Sequence, residues 1–195
     1  GGAVFGAELI NSLRPVSRIW LRSIAWASVA ITILFAAAYF LPLAPIDSDW
    51  ARRVFTVNHD LREEIGWPEL VKTVAHIRDS LGPVERSRLA ILAGNYGEAG
   101  AINLYGKDYG LPKAICGTNS FWSRGYGDPA PETLIVIGFS REFGDRYFES
   151  CELAGRITNE YGVANEETTD HPDIFICRHL REGWPEFWKN FRRYG

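Results

Sequence analysis

The groups best suited to chemistry fall in two loops. Asn95, Tyr96 and Glu98 stand in NYGE, and Asn119, Ser120 and Trp122 stand in NSFW. Exposed polar groups on a rigid strand-and-helix frame are typical binding positions, so these residues are the substrate-binding candidates. Trp122 has two readings, a plug packed on the core or an exposed platform for a ligand. Glu98 also has two, a ligand contact or a carboxylate that favours the positive end of a helix dipole.

The glycines around NYGE suggest a phosphate loop, but the spacing does not fit. Gly94, Gly97 and Gly100 give G-x-x-G-x-x-G, neither the dinucleotide pattern nor a P-loop, and no Lys-Ser/Thr follows. Gly94 and Gly97 are expected to allow a sharp turn, and Gly100 to let the helix lie close on the sheet. Glu98, Asp128 and Glu132 are carboxylates near loops, yet their spacing pairs no two as acid and base. Nucleophile elbow, HExxH and kinase motifs are absent from the sequence. His76 falls on a polar helix face with no partner at metal spacing, so neither a metal nor a cofactor is expected. Cys116, Cys151 and Cys177 form no C-x-x-C pair. Cys116 and Cys177 each end an apolar run, which favours buried thiols, while one disulfide with one cysteine left over stays compatible with a site outside the cytoplasm.

The elements that must position these loops follow from periodicity. Leu89 to Ala93 is a short unbroken apolar run, expected as a strand buried on both faces, and a helix from Glu98 to a stop at Gly106 follows it. Before them, a helical turn is expected over Asp60 to Glu64. A second helix starts at Pro68, with Leu70, Val71, Val74, Ala75 and Leu81 as its apolar stripe. After them come strands at Lys113–Cys116 and Thr133–Phe139, with a long Gly/Pro-rich loop between. A helix from Arg141 to Ser150 is capped by Ser140, and strands at Glu152–Thr158 and Asp173–Cys177 flank a polar loop. Trp184 to Tyr194 closes the chain as a basic, aromatic helix that packs on the domain or touches a membrane interface. The order predicts a three-layer α/β domain with a mainly parallel sheet. Strands joined through a helix run parallel and end on one edge, so the NYGE and NSFW loops are expected to meet there.

Ser23 to Ile46 runs 24 residues without a charge. As a helix it would extend about 36 Å, enough for a hydrocarbon core of about 30 Å, with Trp20, Trp26, Tyr39 and Phe40 near its ends. It is expected to be a transmembrane helix. Residues 1–22 then read as the end of a preceding membrane segment with a cytoplasmic-side loop, and residues 47–195 as the folded domain. Arg14, Arg18 and Arg22 precede the helix, while Arg52 and Arg53 follow it. That bias leans toward an extracytoplasmic domain. The domain holds 18 basic and 23 acidic residues, a net of −5, and nothing in it suggests nucleic acid. The chain contains no Met, even at position 1, and so reads as a piece of a longer protein.

The stretch LAILAGNYGEAGAINLYGKDYGLPKAICGTNSFWSRGYGDPAPETLIVIGFSRE resembles the carboxyl-terminal region of bacterial polytopic glycosyltransferases of the dolichyl-phosphate-mannose protein mannosyltransferase-like family (family 39), related to the lipid A aminoarabinose transferases. The order NYGEAGA, YGLP, a short strand ending in G-x-NS-x-W, then an apolar strand and S-R-E carries the resemblance. It covers about residues 61–195, and the preceding helix with P-x-x-P-I fits it. The resemblance implies a multi-pass enzyme of the inner or plasma membrane. Such an enzyme moves a sugar from a polyprenyl-phosphate donor to a lipid or protein acceptor at the extracytoplasmic face. The family's catalytic acid lies in an early loop absent from this chain, so no catalytic residue is carried over and the domain is expected to be a non-catalytic accessory. Two other classes stay open: a membrane-tethered ligand-binding or sensor domain without catalysis, and a structural cap on a membrane bundle.

Overall fold

The computed structural model describes residues 15–194, together with Gly6 and Glu8, and describes side chains within the first long helix from Ile19 onward. The membrane segment expected before that helix lies largely outside the described residues. The chain divides into two compact units, residues 1–61 and 62–195.

In the first unit, α1 spans Pro15–Phe40. Its segment Ile19–Phe40 is long and apolar enough to cross a membrane, with mean hydropathy 1.9. Trp20, Trp26 and Phe40 are exposed, as on a helix with no protein packed around it. The helix stops at Phe40 rather than running to Ile46. Pro42 and Pro45 lack the N–H that a continuing helix needs, so residues 41–46 leave helical geometry. Ser48 then caps α2 (Asp49–Val57), accepting from the Ala51 N–H. Asn58 is buried and donates to the Tyr39 carbonyl, and the Tyr39 hydroxyl donates to the Val57 carbonyl, so the end of α2 is fastened to the end of α1.

The unit boundary falls within α3 (Asp60–Glu63), and α4 (Trp67–Ser80) and α5 (Pro83–Ser87) follow. Leu70, Val71, Val74, Ala75 and Ile77 of α4 are buried, while Lys72, His76 and Asp79 face solvent, as the stripe required. Next come β1 (Leu89–Ala93), α6 (Tyr96–Tyr105), β2 (Ala114–Cys116), a 3-10 turn at Asn119–Arg124, and β3 (Thr133–Ile137). The chain continues through α7 (Arg141–Tyr147), β4 (Phe148–Arg156), α8 (Glu166–Thr169), β5 (Asp173–Leu180) and α9 (Trp184–Asn190).

The sheet order is β2-β1-β3-β5-β4. β1 pairs in parallel with both β2 and β3, but β5 runs antiparallel to β3 and to β4. The sheet is therefore mixed, and the expectation of a mainly parallel sheet is corrected. The antiparallel ladders are the longer part, because β4 starts at Phe148 and pairs along its length with β5. The segment 159–172, which joins them, is not a crossover: Ile157 N–H donates to the Pro172 carbonyl and closes it into a long hairpin connection.

The pleat divides the apolar residues into two cores. Ile91, Ala93, Ile135, Ile137 and Ile174 meet α4 and α6 on one face. Ala90, Leu92, Leu134, Val136 and Phe175 meet Trp184, Phe187, Trp188 and Phe191 on the other. Strands buried on both faces read as continuous apolar runs, which is why β1 and β3 were visible in the sequence. Cys151 and Cys177 are cross-strand partners and form a disulfide, so Cys177 is not the buried thiol its apolar run suggested; Cys116 is. A methyl on Gly144 of α7 would crowd the Cys151 sulfur, so this glycine lets α7 lie against the bridge.

Candidate functional site

β1 is a switch point in the topology. From it the chain passes to β2 through α6 on one face of the sheet, and from β2 to β3 through a loop packed on the other. In open α/β sheets, ligands bind in the crevice outside the carboxyl ends of strands at such a point. Here that crevice lies between Gly94, which follows β1, and Gly138, which follows β3.

The crevice is filled by Glu98. Asn95 is the N-cap of α6, and its Oδ1 accepts from the Glu98 N–H at 2.8 Å. The Glu98 carboxylate reaches back, and its Oε2 accepts from the N–H groups of Gly94 at 2.8 Å and Asn95 at 3.2 Å. This is a capping box, and N-x-x-E at 95–98 was its legible signature. Unlike most capping boxes it is interior: Glu98 is 1% exposed. A methyl on Gly138 would overlap both carboxyl oxygens, and one on Gly94 would overlap the Gly138 carbonyl oxygen. Gly138 also sits at φ +70°, where an L side chain is strained. Gly94 is thus required by a close approach of two strand ends rather than by an unusual turn. The role expected for Gly100 is corrected, since a methyl there would meet nothing within 4 Å.

A second acid comes from far along the chain. Glu167 of α8 is buried, and its Oε2 has no hydrogen-bond partner. The Asn95 side chain lies beside it and favours its charged form. Asn95 therefore connects the two carboxyl groups. Burial pushes the Glu98 carboxyl up to about 7, against its two backbone donors and with help from the charges of Glu167 and Glu166. Burial pushes Glu167 up to about 7 as well, with Glu63 and Glu166 adding to it. Asn165 holds this segment in place, donating to the Ile65 carbonyl at 2.8 Å and capping α8. Nothing in the spacing of Glu98 and Glu167 announces their meeting, because it depends on how the 159–172 connection folds back over α4.

The NSFW loop leaves the same edge, as parallel pairing of β1 and β2 requires. Its indole goes elsewhere. Trp122 Nε1 donates to the Trp188 carbonyl at 2.7 Å, and Trp188 Nε1 donates to the Trp122 carbonyl at 3.1 Å. Trp122 is packed on the second core, the face opposite α6, with the Arg192 guanidinium 4.7 Å from its ring centre. It is the plug of the two readings. The chain's end is strapped over this corner: Arg193 N–H donates to the Gly117 carbonyl and Asn119 N–H to the Arg193 carbonyl. A side chain on Gly117 would overlap the Phe191 carbonyl. The terminal helix packs on the domain, with Trp184, Phe187 and Trp188 buried.

Of the candidates, Asn95, Glu98 and Trp122 spend their polar groups on internal partners. Tyr96, Asn119 and Ser120 are exposed at the edge. Among the described residues no His, Cys, Asp and Glu side chains gather in a group able to hold a metal ion. Comparison with models of protein families, with curated proteins and with solved structures gave no match to this chain.

Proposed function

We propose that residues 47–195 are the extracytoplasmic, non-catalytic accessory domain of a multi-pass membrane glycosyltransferase. The whole enzyme transfers a sugar from a polyprenyl-phosphate donor to a lipid or protein acceptor. α1 is the last membrane-spanning element before the domain. The Tyr96, Asn119 and Ser120 side chains, open at the carboxyl edge, are its candidates for contact with acceptor or carrier.

The observation that carries this reading is the join of two features in one chain. A helix apolar on all sides leads into an α/β domain whose Cys151 and Cys177 are bonded across neighbouring strands. Structural disulfides persist in oxidising compartments, so the bridge supports an extracytoplasmic domain. The sequence resemblance supplies the reaction. The interior use of Glu98, with its carboxylate closed between Gly94 and Gly138, supports a structural rather than a catalytic part for this acid.

Membranes carrying the longer protein should transfer sugar from a polyprenyl-phosphate donor, and the 195-residue chain alone should not. Turnover by the chain alone would place the chemistry in this domain. Absence of transfer by the longer protein with any such donor would leave the sensor reading in its place.

A further inference from the structure

We propose that α2 is an interfacial helix that lies in the headgroup layer of a phospholipid bilayer, with Trp50 and Val57 toward the acyl chains and its charged side toward water and lipid phosphates. The proposal rests on the reading of α1 as a membrane-spanning helix, and not on the transferase reaction. Hydrogen bonds set the depth of α2. The apolar segment Ile19–Phe40 has 22 residues. It extends about 33 Å as a helix, slightly more than a hydrocarbon core of about 30 Å, so its ends reach the headgroup layers. Tyr39 stands one residue before the end of α1. Its carbonyl accepts from the Asn58 side chain at 2.7 Å, and its hydroxyl donates to the Val57 carbonyl at 3.3 Å. The end of α2 is thereby held at the level where α1 leaves the hydrocarbon.

The sequence of α2 suits that level. Trp50, Val54 and Val57 stand at i, i+4 and i+7 and share one side of the helix. Asp49, Arg52, Arg53 and Thr56 share the other, and all four are exposed. An amphipathic helix of a water-surrounded fold turns its apolar side inward. Here Ala51 is buried and Val54 and Phe55 are half-buried, but Trp50 is 49% exposed and Val57 67%. The link from α1 extends the same surface. It carries no charge before Asp47, and Phe40, Leu41 and Leu43 are exposed along it. Exposed apolar side chains therefore continue from the end of α1 onto α2 without a polar break until the charged side of α2 begins.

The polar groups fit the same place. Arg52 is committed within the protein, to the Asp49 carboxylate at 2.6 Å and the Asp47 carbonyl at 2.7 Å. Arg53 makes no ion pair among the described residues. It neighbours Val57 at i, i+4, at the border of the apolar side. There a long side chain can lay its stem on apolar surface and carry its guanidinium to a lipid phosphate. The Trp50 indole has an apolar body and one N–H, the combination enriched at membrane interfaces. A bilayer is favoured over a protein partner because the surface is continuous with that of α1, whose apolar side chains face outward all round.

The test uses the full chain in vesicles of phosphatidylcholine and phosphatidylglycerol. Trp50→Cys, Arg52→Cys, Thr56→Cys and Val57→Cys are made separately, and a spin label on each reports depth through its collisions with oxygen and with a water-soluble nickel chelate. Cys116 is buried and Cys151 and Cys177 are bonded, so the unaltered chain is the labelling blank. All four positions are exposed, and circular dichroism checks that each variant is folded. Labels at positions 50 and 57 are expected about 5–10 Å beneath the phosphates, and labels at 52 and 56 at the phosphate level or above it. Val29→Cys, near the middle of α1, tests the spanning helix separately and is expected in the hydrocarbon, reached by oxygen and not by nickel. Nickel contact at 50 and 57 equal to that at 52 and 56, with position 29 in the hydrocarbon, would overturn the proposal and leave the spanning helix standing. Labels at 50 and 57 shielded from both reagents would show protein in place of lipid and overturn it as well. Nickel contact at position 29 would remove the spanning helix and the proposal with it.

Discussion

At the carboxyl ends of β1 and β3 the backbone comes so close that only glycines fit, and a buried acid fills the crevice between them. At the amino ends of β1 and β2 the same sheet leaves an open cleft of about 320 Å³, with Arg88, Lys113 and Arg124 among its lining residues. The usual rule for open α/β sheets places ligands at the first location. Here the rule identifies the right crevice, but the Glu98 carboxylate fills it, and Asn95 caps the helix that carries that acid. The difference teaches that a topological switch point supplies a concave, donor-rich place, and that the chain itself can satisfy the donors. A capping carboxylate does for Gly94 and Asn95 what a ligand phosphate does for a glycine-rich loop.

The largest expected effect tests how closed the carboxyl end is. Gly94→Ala sets a methyl against the Gly138 backbone, which cannot turn aside as a side chain could. Loss of about 3 kcal/mol or more is expected in urea denaturation followed by tryptophan fluorescence. A loss under about 1 kcal/mol would mean that the two strand ends are not in contact. The next effect concerns the brace between β4 and β5. Reduction of Cys151–Cys177, which spans 26 residues, should cost about 3 kcal/mol in the same assay. Equal stability with and without reductant would show that the bridge does not form.

The third prediction concerns pH. The folded-state Glu98 carboxyl stands at about 7, against 4.5 for the ordinary group. An acid raised on folding costs stability wherever the unfolded chain has already released its proton. Stability contributed by neutral Glu98 is therefore complete below pH 4.5, falls as pH rises to about 7, and is flat above. The expected fall is about 3 kcal/mol. Glu167 acts in the same direction. Glu98→Gln keeps an oxygen for the Gly94 and Asn95 donors, so it should remove much of this slope and be more stable than wild type at pH 8. An unchanged slope in the variant would contradict the buried acid.

The smallest effect has the opposite sign. Gly100 lies inside α6 with open space beside it, so Gly100→Ala should raise stability by about 0.5–1 kcal/mol. Destabilisation would mean that the helix lies closer to a neighbour than its geometry indicates.

Particular residues show how far the sequence could be read. β1 and β3 were legible because both faces of each are buried, leaving unbroken apolar runs. The stripe on α4 and the Ser140 cap were legible for equally local reasons. Strand direction at β5 was not. It is set by the hairpin closure from Ile157 to Pro172, and a polar stretch of that length reads equally well as a crossover. The candidate site was legible in part. Asn95 and Glu98 were singled out, and their capping box stood in the sequence as N-x-x-E. Their third partner, Glu167, lies 69 residues beyond Glu98, and only the folded chain brings it near. The cleft was invisible because Lys113, Arg124 and Asp128 carry no spacing signature.

The claim on which the functional reading rests is that the domain lies outside the cytoplasm, and thiol labelling tests it most directly. Cys116 is buried and Cys151 and Cys177 are bonded, so a cysteine placed at exposed Asp170 supplies the accessible thiol among the described residues. Intact spheroplasts expressing Asp170→Cys are treated with a membrane-impermeant maleimide, then lysed and treated again. Labelling before lysis, with little added afterwards, is the expected result. Labelling only after lysis would put the domain in the cytoplasm, away from any extracytoplasmic donor, and would contradict the reading.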